Sequence, residues 1–187
     1  MNVYDFDNTI YRGDSSIDFW LFCLKHCPGI VLLLPYQFWM AFLYKLKIVE
    51  KVKFKEAFFS FLKMLPDAEK SVCIFWDKNQ NKIKEWYVKQ QKEDDLVISA
   101  SPLFLLEEIC KRVGIKRLIA TDVDIKSGSF RSPNCYGEEK VKRFRSEYPD
   151  ENVNGFYSDS LSDRNMAEIA QNAFIVKGDS INPWKWE

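Results

Sequence analysis

Val3-Tyr4-Asp5-Phe6-Asp7-Asn8-Thr9 decides how the rest of this sequence is read. Val3 and Tyr4 start an apolar strand that ends in two carboxylates two residues apart. On extended backbone, side chains two apart project to the same side. If a turn has begun by Asp5, both carboxylates can still converge on one cation. Clustered carboxylates repel unless a metal or a shared proton offsets the charge. Acidic turns of this kind are common in themselves, and Asp122-Val123-Asp124 repeats the spacing. That second pair precedes a hairpin expected over Ile125 to Phe130 rather than a helix, and it is read as solvated.

Outward from this stretch, residues 95–187 alternate between strand and helix. Leu96-Val97-Ile98 is a short strand ending at Ser99-Ala100-Ser101-Pro102. Leu103 to Val113 is a helix closed by Gly114, and Ile115 to Thr121 is a further strand. Glu138 to Tyr148 is a helix, and Phe156-Tyr157 ends a strand at Ser158-Asp159. Ser162 caps a helix through Ala170, and Ala173 to Val176 is the last strand. Strands separated by helices imply a parallel sheet with right-handed crossovers. Ligands of such sheets sit at the carboxyl ends of the strands.

Residues 14–94 carry no strand signal. Asp14-Ser15-Ser16 supplies N-cap chemistry, Pro28-Gly29 breaks the first helix, and an apolar run spans Ile30 to Tyr44. A third helix is expected over residues 51–65, with helical pattern continuing to Lys92. The expected fold is therefore α/β. A Rossmann-like parallel sheet flanked by helices forms from residues 1–13 and 95–187, with an all-helical cap inserted as residues 14–94.

Composition narrows the chemistry. The 187 residues carry 27 Lys+Arg and 27 Asp+Glu, so there is no basic footprint for nucleic acid. His26 is the single histidine, which excludes multi-histidine metal sites. Its place at a helix end reads as structural. Five cysteines without a Cys-x-x-Cys pair argue against a zinc ribbon or redox motif, and free thiols in a cytosolic core are expected. No signal peptide is read ahead of the first strand, which implies a cytoplasmic protein.

Four polar elements stand at strand ends or helix starts. Besides Asp5 and Asp7, the Ser99 hydroxyl and the backbone N–H groups that follow it, from Ala100, can hold a phosphate oxygen. Ser101 is a second candidate hydroxyl, and Ser99 is favoured because it directly follows the apolar strand. Lys140 opens a helix and can neutralise an anion. Asp159 and Asp163 sit four apart at another strand-to-helix turn.

In this order the residues resemble the motifs of the haloacid dehalogenase-like hydrolases, in the branch similar to phosphoserine phosphatase. Asp5-Phe6-Asp7-Asn8-Thr9 matches the first motif, D-x-D-x-T, and Val97-Ile98-Ser99 the second. Lys140 matches the third, and Asp159 with Asp163 the fourth. The fourth motif often contains glycines, whereas this chain reads Tyr157-Ser158-Asp159-Ser160. The resemblance implies that Asp5 is a nucleophile forming an aspartyl-phosphate, with Asp7 as general acid and base. It implies Mg²⁺ held by Asp5, the Asp7 carbonyl and Asp159, with Asp163 orienting the site from behind. It also implies that Ser99 and Lys140 clamp the phosphoryl oxygens while Thr9 shapes the first turn.

The cap bears on the substrate, expected to be a phosphomonoester. A phosphoserine phosphatase is expected to hold the substrate carboxylate with a cap arginine, and no arginine stands between Arg12 and Arg112. Asp14 lies where the family places an acidic residue near the substrate amine. Cys27 to Tyr44 is an uncharged stretch of 18 residues, followed by Lys45, Lys47, Lys51, Lys53 and Lys55 with only Glu50 opposing. The favoured reading of this stretch is the buried core of the cap. An interfacial lipid-binding surface giving peripheral membrane contact, and a membrane span, stay open beside it. An apolar or lipid phosphate follows as a candidate substrate, with phosphoserine or another small metabolite as the alternative. Two further alternatives are a phosphotransferase and a non-catalytic membrane-docking protein.

The neutral total conceals a division. Residues 11–94 carry 14 Lys+Arg against 10 Asp+Glu, and the remainder carries 13 against 17. A basic lid over an acidic core suits the admission of an anion.

Overall fold

The structure, a computed structural model, describes residues 1–186. Strand β1 is Asn2–Tyr4, β2 is Leu96–Pro102, β3 is Arg117–Thr121 and β4 is Val153–Ser158. Strand β5 is Ala170–Lys177 and β6 is Ser180–Pro183. They form one sheet in the order β3-β2-β1-β4-β5-β6, parallel except for the antiparallel β5/β6 pair. The chain moves from β1 to β2 and β3 on one side, then crosses back to β4 on the other. That reversal makes the carboxyl end of β1 the place where an open α/β sheet binds ligands.

The sheet is buried on both faces, as parallel sheets are. Val97 and Tyr4 face one core and Val3, Leu96 and Ile98 face the other. On the first face Tyr4, Tyr157 and Phe174 stack across β1, β4 and β5, with centroids 4.7 and 4.8 Å apart. Helix α6, Leu103–Val113, follows β2. It buries Leu105, Leu106, Ile109 and Cys110, and ends at Gly114, whose left-handed φ of 79° closes the helix without a Cβ penalty.

All regular structure between β1 and β2 is helical. Helix α1 is Ser15–His26, α2 Leu34–Lys45, α3 Lys51–Phe59, α4 Ala68–Asn79 and α5 Glu85–Gln90, with short 3₁₀ turns between some of them. Asp14 caps α1 by accepting from the Ile17 N–H at 2.9 Å. Phe19, Phe61, Phe75 and Trp76 pack this insertion onto the sheet through the same core that holds Tyr4. His26 Nδ1 donates to the Phe22 carbonyl at 2.7 Å, a local role at the helix end.

The structure corrects several details. Ile125 to Phe130 forms a tight loop carrying a single bridge, Val123 to Phe130, rather than a hairpin. The Asp124 carboxylate organises this loop by accepting from the Lys126 and Ser127 N–H groups and pairing with Arg131, so it is not merely solvated. Gly128 lies against α3: a Cβ there would stand 2.4 Å from the Phe59 carbonyl oxygen. The helix expected from Ser162 to Ala170 is only a 3₁₀ turn followed by α8, Arg164–Glu168, and β5 begins at Ala170. Gly178 (φ 60°) and Asp179 turn the chain into the unforeseen β6, which seats Trp184 against Phe156. Trp186 remains exposed.

The largest departure concerns Cys27 to Tyr44. Ile30 and Gln37 are buried, but Leu32, Tyr36, Phe38, Trp39 and Phe42 lie on the surface. The physical reason is that α2 is apolar nearly all round and has one packing partner. It lies on α3 through Gln37 and Tyr44, with Leu34 and Ala41 half-buried, which leaves its other apolar side outside. No helix among the described residues is long and apolar enough to cross a membrane. Ser15–His26 and Pro28–Lys45 together have the length and composition, but they are bent by 117°.

Candidate active site

Strand β1 ends at Tyr4, so Asp5 already belongs to the turn. The turn is tight. Ile10 and Tyr11 N–H groups donate to the Phe6 carbonyl, Asn8 donates to the Gly13 carbonyl, and Asn8 adopts a left-handed φ of 55°. Asparagine is among the residues that tolerate this conformation. The two acids therefore part company. Asp5 turns toward Lys140, which opens helix α7, Glu138–Glu147. Asp7 turns toward the start of α1 and toward β2.

Lys140 Nζ donates to Asp5 Oδ1 at 2.7 Å and to Asp163 Oδ2 at 2.8 Å. All three groups are buried. Burial works against the charge on Lys140, but Asp5 and Asp163 hold its proton firmly, so its pKa is raised. Ser158 Oγ donates to the same Asp163 oxygen at 2.8 Å, which fixes that carboxylate from β4. Thr9 Oγ1 accepts from the Asp159 N–H at 2.9 Å and lies 3.5 Å from Asp5 Oδ2. Thr9 thus ties the first turn to the fourth motif.

Asp7 is held by two donors. The Ser15 N–H reaches Oδ1 at 2.7 Å and Ser101 Oγ reaches Oδ2 at 2.5 Å. The Ser101 N–H in turn donates to Ser99 Oγ at 3.1 Å. Between Ile98 and Pro102 the β2/β3 register shifts, so Ser99-Ala100-Ser101 leaves the regular ladder at the carboxyl end of the strand. Ser99, the favoured hydroxyl, is buried beneath Ser101, and it is Ser101 that touches Asp7.

Burial is the main influence on the acids. It pushes Asp5 up to about 7, with Lys140 opposing and Asp163 adding to the rise. It pushes Asp7 up to about 6, with Asp14 adding to the rise and the Ser101 hydrogen bond opposing it. Asp159 is raised as well, by burial and then by Asp163. A carboxyl titrating near neutrality is suited to both giving and taking a proton.

The donor set fits a hard cation. Asp5 Oδ2 has only the long Thr9 contact, and Asp159 forms no ion pair among the described residues. Both are hard oxygen donors, in a cluster where the four carboxylates outnumber the buried Lys140 and Lys84. Among the described residues no three His, Cys, Asp or Glu side chains gather as a metal-binding group. The Asp7 carboxylate is engaged by Ser15 and Ser101, and the Asp163 carboxylate by Lys140 and Ser158. A set of two carboxylates and the Asp7 main-chain oxygen has no need of a third side chain.

Two lysines escaped the sequence reading. Lys55, one of the lysines that follow Tyr44, is half-buried and turned toward the site. Its Nζ donates to the Ala100 carbonyl at 2.9 Å and to Asn134 Oδ1 at 2.7 Å. It shares a helical face with Val52 and Phe59, a periodicity that marks it as inward. Lys84 Nζ donates to the carbonyls of Asn8 and Gly178, tying α5 to the first turn. Asp14 stands near Asp7 but spends one oxygen on the α1 cap. Asp159 also borders an open cleft of about 980 Å³, walled by Arg164, Lys177, Trp184 and Trp186.

The model of the haloacid dehalogenase-like hydrolase family matches residues 3–168. Among curated proteins no relative matches. A Bordetella pertussis Tohama I protein of unknown function is similar in structure, with a TM-score of 0.74 at 17% identity over 92% of this chain and 87% of that one. A phosphoserine phosphohydrolase-like protein from Francisella tularensis subsp. tularensis SCHU S4 gives a TM-score of 0.57 at 17% identity, over 92% and 86%. A phosphoserine phosphatase solved as a phospho-aspartyl intermediate analogue gives 0.52 at 17% identity, over 91% and 83%. At these identities the structural likeness establishes the fold.

Proposed function

The chain belongs to the haloacid dehalogenase-like hydrolase family, and from that premise we propose that it hydrolyses phosphomonoesters through an aspartyl-phosphate on Asp5. The observation that carries this reading is the buried ion pair of Asp5 with Lys140, at the carboxyl end of the central strand.

In the proposed reaction an Asp5 carboxylate oxygen attacks phosphorus as the bond to the ester oxygen breaks. Asp7 gives its proton to the departing alkoxide. Asp7 then takes a proton from a water molecule that attacks the phosphorus of the aspartyl-phosphate. Phosphate leaves and Asp5 is regenerated. Lys140, Ser99 and the backbone N–H groups from Ala100 onward hold the phosphoryl oxygens, while Thr9 keeps the first turn against Asp159. Mg²⁺, held by Asp5, the Asp7 carbonyl and Asp159 with Asp163 behind, would neutralise charge on the transferring phosphoryl group.

The helical insertion of residues 14–94 serves as the lid. Its Lys55 reaches the Ala100 carbonyl, so lid and phosphate loop touch directly. The absence of an arginine from residues 13–111 favours a substrate other than phosphoserine. An apolar phosphomonoester is the preferred class, and small metabolites with Asp14 near the substrate amine are the alternative.

The test is turnover with Mg²⁺ across phosphoamino acids, sugar phosphates, nucleotides, lipid phosphates and an aryl phosphate. Phosphate release from at least one member, lost in Asp5→Asn, is expected. No release from any member would leave a non-catalytic protein. Transfer to added alcohols in preference to water would make it a phosphotransferase.

A further inference from the structure

Helix α2 is apolar nearly all round, and one apolar side of it faces outward. A helix lying on a protein core turns its apolar stripe inward and its polar side to water. Here the only fully buried residue of the helix is Gln37, whose Nε2 donates to the Phe58 carbonyl at 2.9 Å. The stripe at 38, 39, 42 and 46 faces outward. Phe38 is 67% exposed, Trp39 57%, Phe42 51% and Leu46 53%. Leu32, 79% exposed, and Ile48, 65% exposed, extend the face beyond both helix ends. An apolar surface of this extent marks an interaction site.

The charges around the face are mostly of one sign, with Glu50 alone opposing at its far end. No Asp or Glu occurs between Asp18 and Glu50, whereas Lys45 and Lys47 are exposed at the end of the helix. That end is structured rather than frayed. The Ile48 N–H donates to the Leu43 carbonyl and the Lys47 N–H to the Tyr44 carbonyl, with Lys47 at a left-handed φ of 59°. This is the closing motif in which glycine is usual.

We propose that this face docks flat on the interface of a bilayer containing anionic lipid. Aromatic and aliphatic side chains enter the boundary between headgroups and acyl chains, and Lys45 and Lys47 meet the headgroup charge. Trp39 and Tyr36 are of the kind that settles at that depth. A second copy of the chain suits the face less well, since a two-fold contact offers only Glu50 to set against Lys45 and Lys47. The 117° bend between α1 and the following segment keeps α2 in the plane of the surface instead of across it. The proposal concerns the outside of the insertion and stands apart from the chemistry at Asp5.

The test is flotation of the full-length protein with phosphatidylcholine vesicles, with or without phosphatidylglycerol, read as bound fraction without any turnover. Binding to the anionic vesicles, weakened by salt and slight on the neutral ones, is expected. Phe38→Ser with Trp39→Ser should abolish it. Lys45→Glu with Lys47→Glu should weaken it by about tenfold or more. Both variants alter exposed side chains, and circular dichroism should match the parent. No flotation, or flotation indifferent to both variants, overturns the proposal. So do dimers in light scattering that the Phe38 and Trp39 changes dissolve while vesicles bind nothing, because the occupant is then a second copy.

Discussion

Lys140 Nζ lies 2.7 Å from Asp5 Oδ1, although 135 residues separate the two in the chain. The contact joins the turn after β1 to the start of α7, and its second arm to Asp163 brings in the turn after β4. One buried ammonium, at the start of a helix, thus gathers two separate strand ends.

Removing that ammonium leaves Asp5 and Asp163 buried without their partner. Lys140→Met should destabilise the fold by about 3–5 kcal/mol, the usual cost of stranding a buried charge. It should also abolish turnover. Urea unfolding of the variant beside the parent measures the first effect. A loss of stability below about 1 kcal/mol would mean that the pair carries little of the local structure.

Asp5 and Asp7 give stability a definite pH dependence. Burial first of all raises Asp5 to about 7 and Asp7 to about 6, both above their unfolded values. Groups raised on folding stabilise the folded state at low pH, and that contribution is lost as pH rises through 6 to 7. Chelator-treated protein should therefore lose stability from pH 4 to pH 7. Mg²⁺ binds the ionised carboxylates, so it should raise the melting temperature more at pH 8 than at pH 5. An equal rise at both, or none, would remove the cation from Asp5 and Asp159.

The two serines of the second motif should separate kinetically. Ser101 donates to Asp7, and Ser99 accepts from the Ser101 N–H, leaving its own hydroxyl proton for a ligand. Ser101→Ala should lower kcat by about tenfold, the worth of one hydrogen bond to a charged group. Ser99→Ala should mainly raise KM for an aryl phosphate. Interchanged effects would reverse the two assignments.

Lys55 should register in stability rather than in chemistry. Burial pulls it down to about 8, with Lys51 adding to the fall. A lysine lowered on folding costs stability while both states hold the proton, and that cost fades as pH rises above the folded value. The parent should gain stability between pH 8 and 9.5, and Lys55→Met should reduce that slope. Thermal melts across this range report it, and parallel slopes would place Lys55 in solvent.

The fold was legible where chemistry and periodicity agreed. Asp5, Ser99, Lys140 and Asp159 could be placed because each ends a strand or starts a helix, and parallel sheets bring such points together. The exposed side of α2 was not legible. Periodicity marks an apolar stripe without saying what it faces, and the hydrogen bond that turns Gln37 inward is tertiary. The loop at Asp122 and Asp124 escaped for a related reason, since its packing depends on Gly128 meeting Phe59 from a distant helix. Strand β6 was missed because Gly178-Asp179 reads as a tail until Trp184 finds Phe156.

The central claim is that Asp5 carries the phosphoryl group. It is tested most directly by acid-quenching the enzyme and Mg²⁺ during turnover of a phosphate-labelled aryl ester, then mapping the labelled peptide. The label should lie on Asp5, in an acyl phosphate that hydroxylamine releases, and should be absent from Asp5→Asn. Steady turnover with no label at Asp5, or with label on another residue, would contradict the account.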